Sequence, residues 1–228
     1  MTTDVRNNGV AVAEIAETPA GFSSRVTEVI CTLGAVRIEW AAAFAIHQVP
    51  MSCQRGTLVI EERTTVSARN HAMTEVMDKT PGGLLLFWDD DIIPRDRSTM
   101  ARMIAAMNVH PEIDVLGGVY PTRREVPEPI VVANAYEGAY WGWQDGNIHK
   151  VFMVGTGYMM IRMDSFKDTE GPWFDDNHGM SDDFYFGEFC KTHGKGVYVD
   201  GGVICDQMDL DGKRYRVEDG VPVIAEIR

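Results

Sequence analysis

Short apolar runs alternate with longer amphipathic segments in the first half of the chain. The apolar runs at 26–33, 57–61, 84–88 and 114–120 are typical of buried strands. Segments 36–49, 64–79 and 98–109 separate them and have the apolar spacing and end signals of helices. This βαβαβ order predicts an α/β fold, a three-layer α/β/α domain with a mainly parallel central sheet and right-handed crossovers.

The pattern becomes irregular after residue 120. Residues 121–155 are rich in Pro, Gly and Trp and indicate short strands and loops, and a strand follows within 151–163. A helix is predicted over 182–193, with acidic residues in its first turn, and two short strands at 197–199 and 203–205. We expect residues 1–24 to form a loose arm and 208–228 a charged peripheral tail.

Three consecutive carboxylates end the most apolar strand. Leu84–Trp88 runs directly into Asp89, Asp90 and Asp91. Ligands bind at the carboxyl ends of strands in open α/β sheets, and adjacent carboxylates raise one another's pKa unless a cation neutralises them. Strand alternation would place Asp89 and Asp91 on one side, where their oxygens suit Mg²⁺ or Mn²⁺. A solvated acidic turn is the alternative interpretation.

Composition excludes several classes of protein. The 228 residues carry a net charge of −13, which disfavours non-specific binding to nucleic acid or to an anionic membrane. The four cysteines are scattered and no apolar run could span a bilayer, so we expect a reduced cytoplasmic protein without stable membrane insertion. The absence of GxGxxG and GxxxxGK[ST] motifs disfavours dinucleotide dehydrogenases and P-loop NTPases.

Seven short motifs follow one another along the chain: RIEW at 37–40, TVSARN at 65–70, FWDDDIIP at 87–94, GGVYP at 117–121, GTG at 155–157, PWF at 172–174 and SDDF at 181–184. This ordered series resembles the small GT-A-fold, DxD-containing glycosyltransferase-like proteins of phages and bacteria. The resemblance covers about residues 26–207. It implies one GT-A domain with a nucleotide-binding half at 25–120 and an acceptor and catalytic half at 121–207.

The resemblance also implies roles for the acidic residues. Asp89 and Asp91 correspond to the DxD pair, with Asp91 as the more direct metal ligand and Asp89 nearer the ribose or sugar. Asp183, in an Asp182-Asp183 pair where Glu-Asp is more usual, corresponds to the general base of inverting members. Capping of the helix is the alternative role for this pair, and Asp182 could fill it alone.

Further positions follow from the same resemblance. Donor-binding candidates are Thr32, Glu61, Arg69, Asn70 and Asp90, and acceptor-side candidates are Gly155, Gly157, Trp173 and His178. Asp206 and Gln207 stand where the family often supplies a metal-binding His, and Arg123 and Arg124 are candidates to pair with phosphate. The structural alternatives are a surface charge for Arg69, a tight turn for the two glycines and a core anchor for Trp173.

The sequence therefore predicts a glycosyltransferase that depends on Mn²⁺ or Mg²⁺. It would move a sugar from a nucleoside-diphosphate donor to an unknown hydroxyl acceptor, which could belong to a glycan, a protein or a modified nucleic acid base. Inversion is expected if Asp183 is the base. A nucleotidyltransferase on a similar sheet and a non-catalytic sugar-nucleotide-binding accessory module remain the alternatives.

Overall fold

One large sheet with four α-helices dominates the described part of the chain. The computed structural model describes residues 25–32, 34–61, 64–79, 82–176, 179–209 and 211–226, so the predicted arm at 1–24 lies outside the described residues. The helices are α1 (Ile38–Ile46), α2 (Thr65–Lys79), α3 (Thr99–Val109) and α4 (Asp182–Thr192), with short 3₁₀ helices at Gly142–Asp145 and Met163–Phe166. The strands are β1 (Arg25–Thr32), β2 (Gln54–Glu61), β3 (Leu84–Trp88), β4 (Ile92–Pro94), β5 (Val115–Val119), β6 (Val131–Val132), β7 (Ile148–Lys150), β8 (Met153–Val154), β9 (Tyr158–Arg162), β10 (Val197–Met208), β11 (Lys213–Glu218) and β12 (Val221–Glu226).

The central strands are mainly parallel, as predicted. The sheet order is β12-β11-β10-β5-β9-β3-β1-β2, and β2, β1, β3, β5 and β10 run in the same direction. Strand β9 lies between β3 and β5 and is antiparallel to both. The carboxyl ends of β1 and β3 therefore meet at one edge of the sheet, next to the start of β9.

Strand β3 separates the two halves of the core. All five of its residues are fully buried. Leu84, Leu86 and Trp88 belong to the cluster that contains side chains of α1 and α3, whereas Leu85 and Phe87 belong to the cluster that contains side chains of α2 and α4. Because neighbouring side chains of a strand point to opposite faces, this partition gives the three-layer α/β/α arrangement. The predicted fold class is confirmed.

The structure departs from the prediction in three places. Segment 197–208 is one 12-residue strand rather than two short ones, and a shift in its register with β5 between Val199 and Ile204 accommodates the intervening glycines. The three-residue β4 was not predicted, and it pairs with β10. Within the segment predicted as a charged peripheral tail, residues 213–226 form the antiparallel β11–β12 hairpin, in which the buried Tyr215 and Val217 alternate with charged residues.

None of the helices in the described residues has the length and apolar composition that a membrane crossing would need.

Candidate functional site

The three aspartates line a cavity of about 340 Å³ at the carboxyl ends of β1 and β3. Its other walls come from the first turns after β1, from the start of α2 and from the end of β10. The lining residues are Cys31, Thr32, Ala35, Arg37, Thr65, Asp89, Asp90, Asp91, Arg123, Met208 and Asp209. The acidic triplet therefore lies beside basic side chains in a concave site, at the position where the sequence predicts a ligand.

Backbone hydrogen bonds fix the first aspartate. The N–H of Asp89 donates to the carbonyl oxygen of Gly157 at 2.9 Å. The carbonyl oxygen of Asp89 accepts from Trp40 Nε1 at 2.8 Å and from the N–H of Ile92 at 3.1 Å. The backbone that carries the Asp89 carboxylate into the cavity is thus held by three separate elements.

Arg69 connects the acidic triplet to the acidic pair on α4. Its side chain projects from α2 and is almost fully buried, with Nη2 2.7 Å from Asp89 Oδ2 and Nη1 in contact with Asp182 Oδ2. Burial alone would lower the pKa of Arg69, but the carboxylates of Asp89, Asp182 and Asp183 hold it above its ordinary value. Arg69 is therefore a buried cation between two acidic motifs, not a surface charge.

Asp183 is oriented by the GTG turn and is free of a capping role. Its Oδ1 accepts from the backbone N–H of Thr156 at 2.8 Å and from the Thr156 hydroxyl at 2.6 Å. Burial, and then the charge of Asp182, raise the pKa of the Asp183 carboxyl. Ser181 caps α4 through its hydroxyl, which accepts from the N–H of Phe184. Neither acidic residue is needed as the cap.

Tyr120 is a site residue to which the sequence analysis gave no role. Its hydroxyl is buried directly after β5 and accepts from the N–H of Gly157 at 2.8 Å. Burial, and then the charges of Asp183 and Asp89, raise the pKa of Tyr120. A Cβ at Gly155 would overlap the Tyr120 hydroxyl, and one at Gly157 would lie 2.9 Å from it. The two glycines are required by this tyrosine; the signal in the sequence was an aromatic residue ending the GGVY strand.

Asp91 lies between a cation and a buried amide. Its Oδ2 is 3.0 Å from Arg123 Nη1 and accepts from Gln207 Nε2 at 3.2 Å. Burial, and then the charge of Asp89, raise the pKa of Asp91 to about 6. Gln207 is 8% exposed, and its Oε1 is buried without a hydrogen-bond partner within the described part of the chain. Gln207, which contacts Asp91, therefore has a side-chain oxygen without a hydrogen-bond partner in the described part of the chain.

Asp90 and Thr32 interact on the β1 side of the cavity. Burial raises the pKa of Asp90, and a hydrogen bond with the Thr32 side chain opposes that shift. Glu61 is exposed at the end of β2, in register with Thr32. Two of the three donor-binding candidates on this edge are thus in direct contact, and Glu61 lies on the neighbouring strand.

Asp206 is occupied by two arginines. It is completely buried, with Arg95 Nε 2.6 Å from Oδ1 and Arg214 Nε 2.7 Å from Oδ2. Both carboxylate oxygens of Asp206 are therefore used in ion pairs. Alternation along β10 sends the Asp206 side chain to the face opposite Gln207. We leave Asp206 out of the candidate metal site.

Asn70 and Trp173 hold the segment that precedes α4. Asn70 Oδ1 accepts from the N–H of Trp173 at 2.8 Å and from that of Phe174 at 3.2 Å. Trp173 is 7% exposed, and its Nε1 donates to Thr169 Oγ1 at 3.0 Å. The amide of Asn70 and the indole of Trp173 thus have structural partners, which supports the core-anchor interpretation of the tryptophan. His178 lies outside the described residues.

A preformed cluster of metal ligands is not found. Across the described ranges, no three or more His, Cys, Asp or Glu side chains are grouped so that they could hold a metal ion.

Comparison with known proteins gives information on the fold of this chain. No protein-family model and no curated protein matches this sequence. The crystal structure of A197 from STIV is similar, with a TM-score of 0.65 over 90% of this chain and 95% of that chain, at 17% sequence identity. At this identity the similarity shows the fold alone: the chain is a mixed α/β protein with a GT-A-like architecture.

Proposed function

We propose that this protein is a metal-dependent glycosyltransferase that moves a sugar from a nucleoside-diphosphate donor to a hydroxyl acceptor. The observation that carries the proposal is the bridge of Arg69 between Asp89 and Asp182. Through it, the acidic triplet at the cavity and the acidic pair on α4 belong to one site. A donor cavity beside a positioned carboxylate is the minimum that transfer to a hydroxyl requires.

The cavity suits a nucleoside diphosphate in size, and a bound cation would have to balance the four aspartates and two arginines of its lining. Its volume of about 340 Å³ falls within the range of small-molecule sites. Arg37 and Arg123 supply cations that could pair with phosphate oxygens, while Thr32 and Asp90 offer hydrogen-bonding groups to the ribose or base. We assign these four residues, with Asp89, to donor binding.

The residues present fit a divalent cation on one side of the triplet. Asp91 and Asp89 would provide carboxylate oxygens and Gln207 its unpartnered Oε1, a ligand set that suits Mn²⁺ or Mg²⁺. A buried carbonyl oxygen without a partner costs free energy, which a ligand would recover. When bound, the cation would stabilise charge on the leaving diphosphate.

Asp183 is proposed as the general base. Its raised pKa brings the carboxylate closer to the range in which it can take up a proton at neutral pH. Thr156 fixes one carboxylate oxygen, so the orientation of the group is set before the acceptor binds. Direct attack by the activated hydroxyl would invert the configuration at the transferred sugar.

Thermal denaturation with a panel of nucleoside-diphosphate sugars, with and without Mn²⁺, tests the donor site. One donor should stabilise the folded protein only with Mn²⁺, by about 2.7 kcal/mol at a hundredfold excess over its dissociation constant. Asp91→Asn should abolish this stabilisation, while Asp168→Asn, an exposed acid outside the cavity, should preserve it. Absence of any Mn²⁺-dependent shift across the panel would refute the proposed donor site.

The accessory-module alternative is favoured by one observation. The ion pairs of Asp206 remove one carboxylate from the predicted metal ligands, which leaves a weaker ligand set. A module of this kind would bind the donor without turnover. Release of nucleoside diphosphate from the stabilising donor, measured with wild type and Asp183→Asn, separates the two functions. Turnover that Asp183→Asn abolishes supports the enzyme, and binding without turnover supports the module.

A further inference from the structure

A second and larger cavity lies beside α4. Its volume is about 730 Å³, and it is formed by the loop after β6, by β7 and the residues after it, by the second half of α4 and by the start of β10. Its walls are Ala133, Asn134, Ala135, Tyr136, Lys150, Val151, Phe152, Gly187, Lys191, Gly194, Lys195 and Val197. Among the described residues, none lines both this cavity and that of the acidic triplet.

This second cavity is basic in a strongly acidic protein. Lys150, Lys191 and Lys195 are three of the six lysines in the sequence, and no acidic residue is found among the described residues that line the cavity. Glu188 is near the wall, with Oε1 3.8 Å from Lys191 Nζ, and partly offsets one of these charges. The local excess of positive charge favours an anionic ligand.

Aromatic rings lie beside the lysines. Lys191 Nζ is 5.8 Å from the centre of the Phe152 ring, and Tyr136 is 84% exposed at the edge of the cavity. The backbone of Tyr136 has a φ of 67°, a left-handed conformation that a tyrosine rarely adopts. An exposed ring held in this conformation offers a flat apolar face, and such faces stack on sugar rings as well as on bases.

Helix α4 connects this cavity to the proposed base. Phe184 follows Asp183 directly, and its ring lies 5.6 Å from that of Tyr136 and 5.0 Å from that of Phe152. Gly187 lies one turn beyond Asp183, so the cavity begins about 6 Å further along the helix axis. A molecule that fills the cavity could therefore extend one end toward Asp183.

We propose that this cavity binds an anionic saccharide, one that carries carboxylate or phosphate groups, and that this saccharide is the acceptor. The lysines recognise its charges, and Tyr136 and Phe152 contact its ring faces. The described residues that line the cavity include no arginine, so charge rather than bidentate geometry selects the ligand. A uronate and a sugar phosphate share the chemistry it requires. The role of this saccharide as acceptor rests on the proposed function, whereas its binding to the cavity does not.

Calorimetric titration without donor or metal tests the binding. The probes are trigalacturonate and glucose 6-phosphate, which represent the two sources of negative charge, and neutral galactotriose as the reference. At least one anionic probe should bind and galactotriose should not, and the affinity should fall as salt is added. If neither anionic probe binds more tightly than galactotriose, or if a single-stranded thymidine oligomer is the tighter ligand, the proposal is overturned.

Substitutions locate the site and separate the two proposals. The Lys191→Gln, Lys195→Gln double variant should weaken binding of the anionic probe about tenfold, because two exposed charge pairs are lost. Lys167→Gln, which removes an exposed lysine outside the cavity, is the matched control and should bind like wild type. Circular dichroism confirms that each variant folds. Equal affinities for both variants would overturn the cavity assignment. Binding that is intact in a protein without sugar-transfer activity would keep the site and refute the acceptor role.

Discussion

Arg69 Nη2 lies 2.7 Å from Asp89 Oδ2, and the pair joins the end of β3 to the buried face of α2. The same guanidinium contacts Asp182 at the start of α4. Three elements that are far apart in the sequence therefore depend on one side chain for charge balance. The same ion pairs that stabilise the fold also position the acidic groups of the candidate site.

Replacement of Arg69 should destabilise the protein strongly. Arg69→Met leaves two carboxylates without their buried cation, and loss of one partner from a buried ion pair costs about 3–5 kcal/mol. Arg69→Lys should recover only part of this, because an ammonium cannot span both acids as the planar fork does. Urea denaturation measures both variants. The exposed Arg97→Met is the control and should change stability by no more than about 0.5 kcal/mol. Similar values for Arg69→Met and Arg97→Met would contradict this role.

Asp183→Asn should stabilise the protein at neutral pH. The pKa of Asp183 is raised by burial and by Asp182, so the folded state holds the proton more tightly than the unfolded state. Its contribution to stability is present below the unfolded pKa and is lost as pH rises through the folded pKa. Asparagine stays neutral and can still accept from Thr156, so the advantage of the variant should grow from about pH 4 toward neutrality.

Urea unfolding at several pH values measures this difference, with Asp168→Asn, an exposed acid, as the reference. The advantage of Asp183→Asn should vanish in acid, whereas the small effect of Asp168→Asn should not depend on pH in the same way. A gain that is constant at all pH values would mean that the carboxyl of Asp183 titrates normally. Loss of sugar transfer in a variant that is more stable would separate the chemical role of Asp183 from a structural one.

The parts of this architecture that the sequence predicted are those governed by local pattern. The apolar run Leu84–Trp88 and the amphipathic segment that became α2 needed only burial and periodicity to be recognised. The acidic triplet was located for the same reason, since a strand end is visible in the sequence. The short β4 and the charged β11–β12 hairpin were too brief or too polar for this rule, and the glycines within β10 made one strand look like two.

The partners of the site residues could not be predicted, because they come from distant positions. Asp206 has the chemistry of a metal ligand, yet Arg95 reaches it from 111 residues away. Asn70 adjoins Arg69 in the sequence but bonds to the backbone around Phe174 instead of to the cavity. Side-chain type and strand position suggest a role, whereas only the packed structure decides which groups are already paired.

Gly155 should not tolerate a methyl group. A Cβ at this position would overlap the hydroxyl of Tyr120, and overpacking of a filled site costs about 1–3 kcal/mol. Gly155→Ala should therefore lower the free energy of unfolding by that amount, and combining it with Tyr120→Phe should cost less than the sum of the two. Gly138→Ala is the control, because within the described part of the chain no atom beyond its two sequence neighbours lies within 4 Å of the added Cβ. Additive effects in the double variant would show that the hydroxyl is not the obstacle.

Asp91 and Asp206 should respond in opposite ways to the loss of their charge. Asp206→Asn removes the buried negative charge that pairs with Arg95 and Arg214. It should therefore lower the free energy of unfolding by about 3 kcal/mol, because both arginines lose their ion-pair partner. Asp91→Asn removes a carboxylate that burial and Asp89 already disfavour, so its stability should match or exceed that of wild type. The shift of the melting temperature by Mn²⁺ should survive in Asp206→Asn and disappear in Asp91→Asn. The reverse outcome, with metal dependence lost only in Asp206→Asn, would move the cation to the other face of β10 and overturn the assignment to Asp91 and Gln207.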